Sequence, residues 1–278
     1  EREFHYDERL SALSTDKNGY WIGGETGVVW HVKGQNRKRF YTGLDRIYDI
    51  ERDPLRTNRI WIAARNEGLQ LWNMVGDTLI HEATFNIPCK GNRYSPYDID
   101  IIDSSLLVAT SQGLFSMPLD HRQQGLKSVY PTNGSCTDQE GKPFLVNQLC
   151  HAGDQWLFAA TQAGLASINL VSQKTALRHK GENIRNVAIY DGKLHILSDK
   201  QLTIEQLDGN NAKTFPLPQP VLSFYKAGAT HYFITASSIL LSDNLERFVS
   251  IPLRNNIPDN PHKISIPDDG NGFSILLT

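Results

Sequence analysis

A short unit of strands joined by a tight corner recurs along the chain, and it constrains the fold more than any other feature. The first copy spans 10–32 and contains an apolar strand, a polar turn, a second strand that opens with Trp21, and a corner that ends at Gly27. Asp, Asn and Gly suit tight turns, whereas aromatic and β-branched residues suit a pleated sheet. The corner positions of the six copies are Gly27, Gly68, Gly113, Gly164, Gln201 and Ser238.

The period of this repeat predicts a β-propeller. The corners recur at intervals of 37 to 51 residues, a range typical of four-stranded propeller blades. Helical repeats are excluded because apolar residues alternate with period two and are interrupted every few residues by Gly, Asn or Asp. We therefore predict an all-β protein with a single domain over 1–278 and seven blades of four antiparallel strands. The last blade is expected to begin near residue 262 and to take its outer strand from residues 1–7, which would hide two open sheet edges.

The composition excludes several classes of protein. Lys and Arg number 28 against 30 Asp and Glu, without a basic stripe carrying interleaved aromatic residues, so nucleic-acid binding is not expected. No run of about 18 apolar residues is present, so the sequence predicts no membrane span. It opens on EREFHYD without Met or a signal-like segment, and we expect it to be part of a longer product.

Three cysteines, Cys89, Cys136 and Cys150, are too few and too irregularly spaced for a disulfide scaffold or a metal knuckle. An odd number allows one bridge and one free thiol, but three unpaired thiols are the state that the spacing predicts.

One face of the predicted propeller carries the candidate binding residues. The links between consecutive blades and the corners between second and third strands lie on this face, and the links at 88–96, 131–143 and 252–261 are long. Long loops in a compact domain are often functional, although loops bracketed by proline also serve as spacers. The first link and the corners supply the candidates Arg93, Tyr94, Tyr97, Glu25, Arg65, Asn66, Gln112 and Gln162. For the corner residues the alternative is that each only satisfies backbone groups of its turn.

Motifs of catalysis are missing from the sequence. It contains no HExxH, G-x-S-x-G, glycine-rich phosphate loop or C-x-x-C motif, and its histidines are spread around the repeats. Asp98 and Asp100 share one face of a strand and could form an acid/base pair, but a structural use is the preferred interpretation. The sequence therefore predicts no enzyme activity, no metal site and no cofactor for this domain.

The repeat resembles that of the two-component regulator propeller family. The motif D-x-N-G-x-W-I-G-x-x-x-G at 16–27 carries the resemblance, and the second copy fits it through Gly43-Leu44, Trp61-Ile62 and Gly68-Leu69. The match is good over the first half of the chain, whereas the fifth and sixth copies keep only the period. The resemblance implies a periplasmic or extracellular sensor domain of a Bacteroidetes-type hybrid two-component system. It also implies a second propeller, an immunoglobulin-like domain, a membrane span and a histidine kinase elsewhere in the same polypeptide.

The leading hypothesis is a propeller that recognises an oligosaccharide and performs no catalysis, in the periplasmic or extracellular part of an inner-membrane protein. A hydrolase or lyase acting on glycans is the first alternative, and a protein–protein interaction scaffold is the second. The same fold supports all three. The oligomeric state is left open, a homodimer included.

Overall fold

The computed structural model describes residues 8–16, 19–89, 94–131, 136, 144–153, 155–172, 174–253, 264–265 and 274–275. Within these residues the chain forms six antiparallel sheets of four strands, each built from consecutive strands in chain order. This is the blade topology of a propeller, so the predicted fold class is confirmed.

The first blade consists of β1 (Leu10–Asp16), β2 (Gly19–Gly24), β3 (Val28–Lys33) and β4 (Asn36–Tyr41). The second consists of β5 (Ile47–Arg52), β6 (Arg59–Ala64), β7 (Gly68–Val75) and β8 (Thr78–Phe85). The third consists of β9 (Pro96–Ile102), β10 (Ser105–Thr110), β11 (Gly113–Pro118) and β12 (Lys127–Tyr130), with a 3-10 helix at Arg122–Gln124 between β11 and β12. The fourth blade consists of β13 (Val146–Ala152), β14 (Trp156–Thr161), β15 (Gly164–Asn169) and β16 (Thr175–Arg178). The fifth consists of β17 (Ile184–Tyr190), β18 (Lys193–Ser198), β19 (Gln201–Gln206) and β20 (Lys213–Pro216). The sixth consists of β21 (Ser223–Ala227), β22 (Thr230–Ile234), β23 (Ser238–Ser242) and β24 (Val249–Pro252).

The number of blades differs from the prediction. The described residues form six four-stranded blades, so the predicted count of seven is wrong. Where the seventh was expected, β25 (Ile264–Ser265) and β26 (Ser274–Ile275) pair over two residues each. A ladder this short is two strands and not a blade, although β25 contacts both β21 and β1 and therefore lies between the sixth and first blades. The predicted closing strand at 1–7 lies outside the described residues.

The hydrophobic core is divided into clusters that lie between consecutive blades. Trp61 and Leu69 of the second blade, for example, pack with Val108 and Phe115 of the third, and all four side chains are nearly inaccessible to solvent. Equivalent clusters join the first to second, third to fourth, fourth to fifth and fifth to sixth blades. Each blade thus buries its faces against its neighbours, as expected for a sheet too small to shield itself.

A threonine hydroxyl closes the corner in the third, fourth and sixth blades, and a glycine occupies the corner position in the first four. In the fourth blade the Thr161 hydroxyl donates to the Gly164 carbonyl at 2.7 Å and accepts the Ala163 N–H at 3.1 Å. Gly164 has a φ of 139°, and a Cβ there would lie 2.5 Å from the Arg178 carbonyl oxygen. Glycine is therefore required both by conformation and by the close approach of the outer strand.

A one-residue register shift near the start of the inner strand recurs in the first five blades. In the second blade Ile47 pairs with Ala64 and Asp49 with Ala63, so Tyr48 is left over between them. The residues left over in the third, fourth and fifth blades are Tyr97, Asn147 and Arg185, and Ser11 is the one in the first. Such bulges re-aim side chains, and we call these five the bulge residues.

The residue that follows the bulge connects one blade to the next. The Asp49 carboxylate accepts the Ile99 N–H at 2.9 Å, and the Asp98 carboxylate accepts the Leu149 N–H at 2.8 Å. The Gln148 side-chain oxygen accepts a backbone N–H of the fifth blade in the same way, at 3.0 Å. Since both aspartates are buried, each of these bridges satisfies a backbone N–H that has little access to water. Asp98 therefore has the structural role that the sequence favoured over catalysis.

Two cysteines join the long links on the face that carries the bulges. Cys89 and Cys136 form a disulfide with a Cα–Cα distance of 5.8 Å, which corrects the prediction of three unpaired thiols. The two cysteines are 47 residues apart in sequence, and they can pair because the second and third blades are adjacent in the fold. Cys150 is free, and burial raises the pKa of its thiol to about 12. Over the described parts of the chain, no helix has the length and hydrophobicity of a membrane span.

A pair of buried histidines lies between the fifth and sixth blades. His195 is 3% exposed and His231 is 5% exposed, and their ring centroids are 5.7 Å apart. Neither ring nitrogen of His231 has a hydrogen-bond partner among the described residues. Burial lowers the pKa of His195 to about 4 and lowers that of His231 as well. Both rings are therefore neutral in the folded protein at neutral pH.

The inter-blade bridge can be tested by removing one acceptor. Asp49→Ala leaves the buried Ile99 N–H without its partner, so we expect a loss of about 2–3 kcal/mol in unfolding free energy, measured by urea denaturation. Asp49→Asn keeps an acceptor oxygen and should lose less. Asp120→Ala, at an exposed position, serves as the control and should change stability little. Equal stability of Asp49→Ala and the control would rule out the bridge as a stabilising element.

The disulfide should stabilise the protein through its long closed loop. The chain-entropy relation for a separation of 47 residues gives about 4 kcal/mol. We expect reductant, or the double change Cys89→Ser and Cys136→Ser, to lower the urea midpoint of unfolding. Cys150→Ser should leave the response to reductant intact. A midpoint that does not move on reduction contradicts the expected contribution.

The histidine pair should make stability depend on pH. A histidine in the unfolded chain titrates near 6.5, above the lowered pKa of folded His195. The unfolded state therefore binds more protons below that pH, and the contribution of His195 is complete above about 6.5 and is lost as the pH falls towards 4. We expect His195→Leu to flatten the decline in stability between pH 7 and pH 5 by about 1–2 kcal/mol. His121→Gln, on the surface, should retain the wild-type decline; a decline unaltered in His195→Leu would exclude the pair as its source.

Candidate functional site

The four bulge residues of the second to fifth blades line one cavity of about 310 Å³ at the mouth of the central funnel. The cavity lies where the inner strands begin, on the face predicted to carry the binding residues. Its lining consists of Arg46, Tyr48, Tyr97, Leu145, Asn147, Gln148, Gln162, Asn183, Arg185, Asn186 and Leu222. Five successive blades therefore contribute to a single concave surface of a size that accommodates a small ligand.

Two tyrosines form one wall of the cavity. The rings of Tyr48 and Tyr97 meet edge to face, with centroids 5.1 Å apart. The Arg46 guanidinium lies 5.6 Å from the centroid of the Tyr48 ring. Burial raises the pKa of both tyrosines, so their hydroxyls remain protonated at neutral pH. The wall thus offers aromatic surface together with neutral hydroxyl groups.

The two arginines of the lining are held by acidic residues outside it. Arg46 Nη2 lies 3.3 Å from Glu25 Oε1, and Arg185 Nε donates to Asp199 Oδ1 at 2.5 Å. Asn183 Nδ2 donates to the same Asp199 oxygen at 3.3 Å. These contacts fix where each guanidinium lies at the rim.

Side-chain amides supply the remaining polar groups. Asn147 Nδ2 donates to the Ile184 carbonyl at 2.8 Å, and Gln148 holds its inter-blade bridge. Gln162 and Asn186 make no side-chain hydrogen bond to any described residue. Their amides can therefore hydrogen-bond a ligand without breaking a contact within these parts of the protein.

Several residues predicted from the sequence lie at or beside this cavity. Tyr97 and Gln162 line it, and Glu25 holds the lining residue Arg46. Arg65 is exposed at its corner, and its positive charge acts on the pKa of both Tyr48 and Tyr97.

Other predicted residues are placed elsewhere. Tyr94 is 5% exposed, and its hydroxyl accepts the Leu69 N–H at 3.0 Å and donates to the Phe85 carbonyl at 2.5 Å. It packs into the core between the second and third blades and does not line the cavity, and its role in ligand binding stays a prediction. Asn66 has a φ of 58° and is exposed in its turn, its N–H donates to the Ser95 hydroxyl at 3.2 Å, and it does not line the cavity.

Gln112 is a corner residue whose N–H donates to the Thr110 hydroxyl, and it does not line the cavity. Arg93 lies outside the described residues.

Sequence reasoning missed most of the lining, although one signal for it was present. The tripeptide Tyr-Asp-Ile occurs at 48–50 and again at 97–99, at the same position of two successive inner strands. Alignment of these strands with the next two would have added Asn147 and Arg185 as equivalents of the tyrosines. Arg46, which precedes Tyr48 by two residues, carried no comparable signal.

Titratable groups outside the cavity are engaged in contacts within the propeller. Asp100 Oδ2 lies 2.8 Å from His151 Nδ1, and Glu205 contacts both Arg178 Nη1 at 2.9 Å and His179 Nε2 at 3.0 Å. Within the described ranges, no three His, Cys, Asp or Glu residues are placed to hold a metal ion. The lining found here contains aromatic, amide and guanidinium groups but no carboxylate or imidazole.

Comparisons with known proteins agree on the fold. No family model matches the chain, and no curated protein matches its sequence. Among solved structures, the extracellular domain assigned to the hybrid two-component system BT4673 of B. thetaiotaomicron has a TM-score of 0.69 at 14% identity, with 94% of this chain and 38% of that chain covered. The corresponding domain assigned to BT3049 has a TM-score of 0.64 at 16% identity and coverages of 94% and 37%.

A computationally designed protein, Ika8, shares the fold as well, with a TM-score of 0.59 at 10% identity and coverages of 95% and 92%. The resemblance suggested by the repeats is therefore confirmed at the level of the fold. This chain spans well under half the length of the two Bacteroides domains, 38% and 37% of them.

Proposed function

We propose that this chain is a ligand-sensing propeller of the two-component regulator propeller family and that the cavity at the funnel mouth binds an oligosaccharide. The observation that carries the proposal is the convergence of Tyr48, Tyr97, Asn147 and Arg185, each a bulge residue of a different blade, on one cavity. A bulge that recurs with Tyr, Tyr, Asn and Arg in successive blades is suited to building a recognition surface.

The chemistry of the lining suits a sugar. Saccharides bind through stacking of their apolar faces on aromatic rings and through hydrogen bonds from hydroxyl groups to amides and charged side chains. Tyr48 and Tyr97 provide the rings, and Gln162 and Asn186 provide amides that can donate and accept. The ligand class remains a proposal that rests on this combination.

The lining favours binding over catalysis. A glycan hydrolase or lyase needs titratable groups that converge on the substrate. The described lining contains no Asp, Glu or His, and the raised pKa of Tyr48 and Tyr97 disfavours the phenolate that a tyrosine base requires. We therefore assign this domain a sensing role, with a kinase outside this chain.

The proposed location is the periplasmic or extracellular side of a membrane. The Cys89–Cys136 disulfide supports it, because disulfides persist in oxidising compartments. The similar Bacteroides structures are also extracellular domains. A second propeller and an immunoglobulin-like domain in the same polypeptide, which the family resemblance implies, belong to the same proposal.

Calorimetry with a panel of purified oligosaccharides tests the proposed function. We expect at least one member to bind, and Tyr97→Ala to weaken that binding about tenfold or more because an aromatic platform is lost. Tyr41→Ala is the matched control, since Tyr41 is 74% exposed on the outer strand β4, outside the cavity. Thermal melting of each variant checks that the propeller is intact.

Two results would overturn the proposal. The first is an absence of binding across the panel, and the second is a folded Tyr97→Ala variant that binds as tightly as Tyr41→Ala.

A further inference from the structure

We infer that the ligand carries a negatively charged group, a carboxylate or a sulfate ester, that binds to Arg46 and Arg185. This inference rests on the proposed function and narrows its ligand to acidic saccharides. It is drawn from the charges around the cavity and from how the two guanidinium groups are held.

The charge of the lining is positive. Among the described residues of the lining, Arg46 and Arg185 are the only members of the set Arg, Lys, Asp, Glu and His. Arg65, at the neighbouring corner, lies close enough for its positive charge to affect the pKa of both Tyr48 and Tyr97. The chain as a whole has a formal net charge of −2, so the two arginines give the lining a charge opposite in sign to that of the whole chain.

The contact of Arg185 with Asp199 leaves other guanidinium donors that can bind an anion. The Arg185–Asp199 contact uses Nε, which is one of five N–H donors on a guanidinium group. The Arg46–Glu25 contact is made at Nη2. Both acids lie outside the lining, so they orient the guanidinium groups from behind and do not cover the cavity.

The setting strengthens binding of an anion. The Arg46 side chain is only 18% exposed and that of Arg185 is 33% exposed. Partly desolvated guanidinium groups attract anions more strongly than exposed ones, and their planar geometry matches the two oxygens of a carboxylate or sulfate.

Matched acidic and neutral probes test the inference. The acidic probes are a galacturonic acid trisaccharide and a carrageenan disaccharide with one sulfate, and the neutral partners are the methyl-esterified trisaccharide and the desulfated disaccharide. All four are added to the oligosaccharide panel and titrated by calorimetry against the wild-type protein. We expect an acidic member to bind at least about tenfold more tightly than its neutral partner, and its affinity to fall as salt rises.

Variants locate the charge effect. Arg185→Gln and Arg46→Gln should each reduce binding of the acidic probe about tenfold or more. Arg56→Gln removes an exposed arginine from the loop between β5 and β6 and should leave binding unchanged. Arg185→Lys keeps the charge but not the planar fork, so it should restore part of the loss. Thermal melting confirms that each variant is folded.

The outcomes separate this inference from the proposed function. If neutral sugars bind as tightly as acidic ones, or if acidic binding is unaffected in folded Arg46→Gln and Arg185→Gln proteins, the inference is overturned while the sensing function stands. If no member of the panel binds, acidic or neutral, the proposed function fails and the inference fails with it.

Discussion

A hydrogen bond from the backbone of one inner strand to a side chain of the preceding one joins the second, third, fourth and fifth blades in series. Apolar packing between blades is strong but not directional, so by itself it would let neighbouring sheets slide. The bridges from Asp49 to Ile99, from Asp98 to Leu149 and from Gln148 to Val187 fix that position, because each joins equivalent points of adjacent strands. Loss of one acceptor leaves a buried N–H unsatisfied, which is costly.

The same register shift that places the bridge also builds the candidate site. At the bulges of the second, third and fourth blades, the bulge residue lines the cavity and the next residue bridges to the following blade. Ile47, Tyr48 and Asp49 show this division of roles in three consecutive residues. In the second and third blades the lining residue and the bridging residue are different, whereas Gln148 of the fourth blade has both roles.

The sequence predicted what depends on local patterns and missed what depends on distant pairing. The fold followed from the period, because strand alternation and corner glycines such as Gly164 are local features. The Cys89–Cys136 disulfide and the buried position of Tyr94 depend on contacts between segments that only the ring brings together. The prediction of seven blades was wrong for a related reason. The apolar alternation near the end of the chain indicates strands, but it does not establish how many of them pair into a blade.

Bridging is uneven around the ring, and this bears on what a ligand would do. Ala12, at the bridging position of the first blade, has no polar side chain, and Asn186, at that of the fifth, lines the cavity without a side-chain partner among the described residues. The seam between the fifth and sixth blades lacks this bridge and combines apolar packing around Phe224 and Leu197 with the ion pair between Lys226 and Asp191. A ligand that contacts Asn186 and Leu222 would touch both blades of this seam at once. Since binding to the folded state adds its free energy to stability, that seam is where occupancy of the cavity should strengthen the ring most.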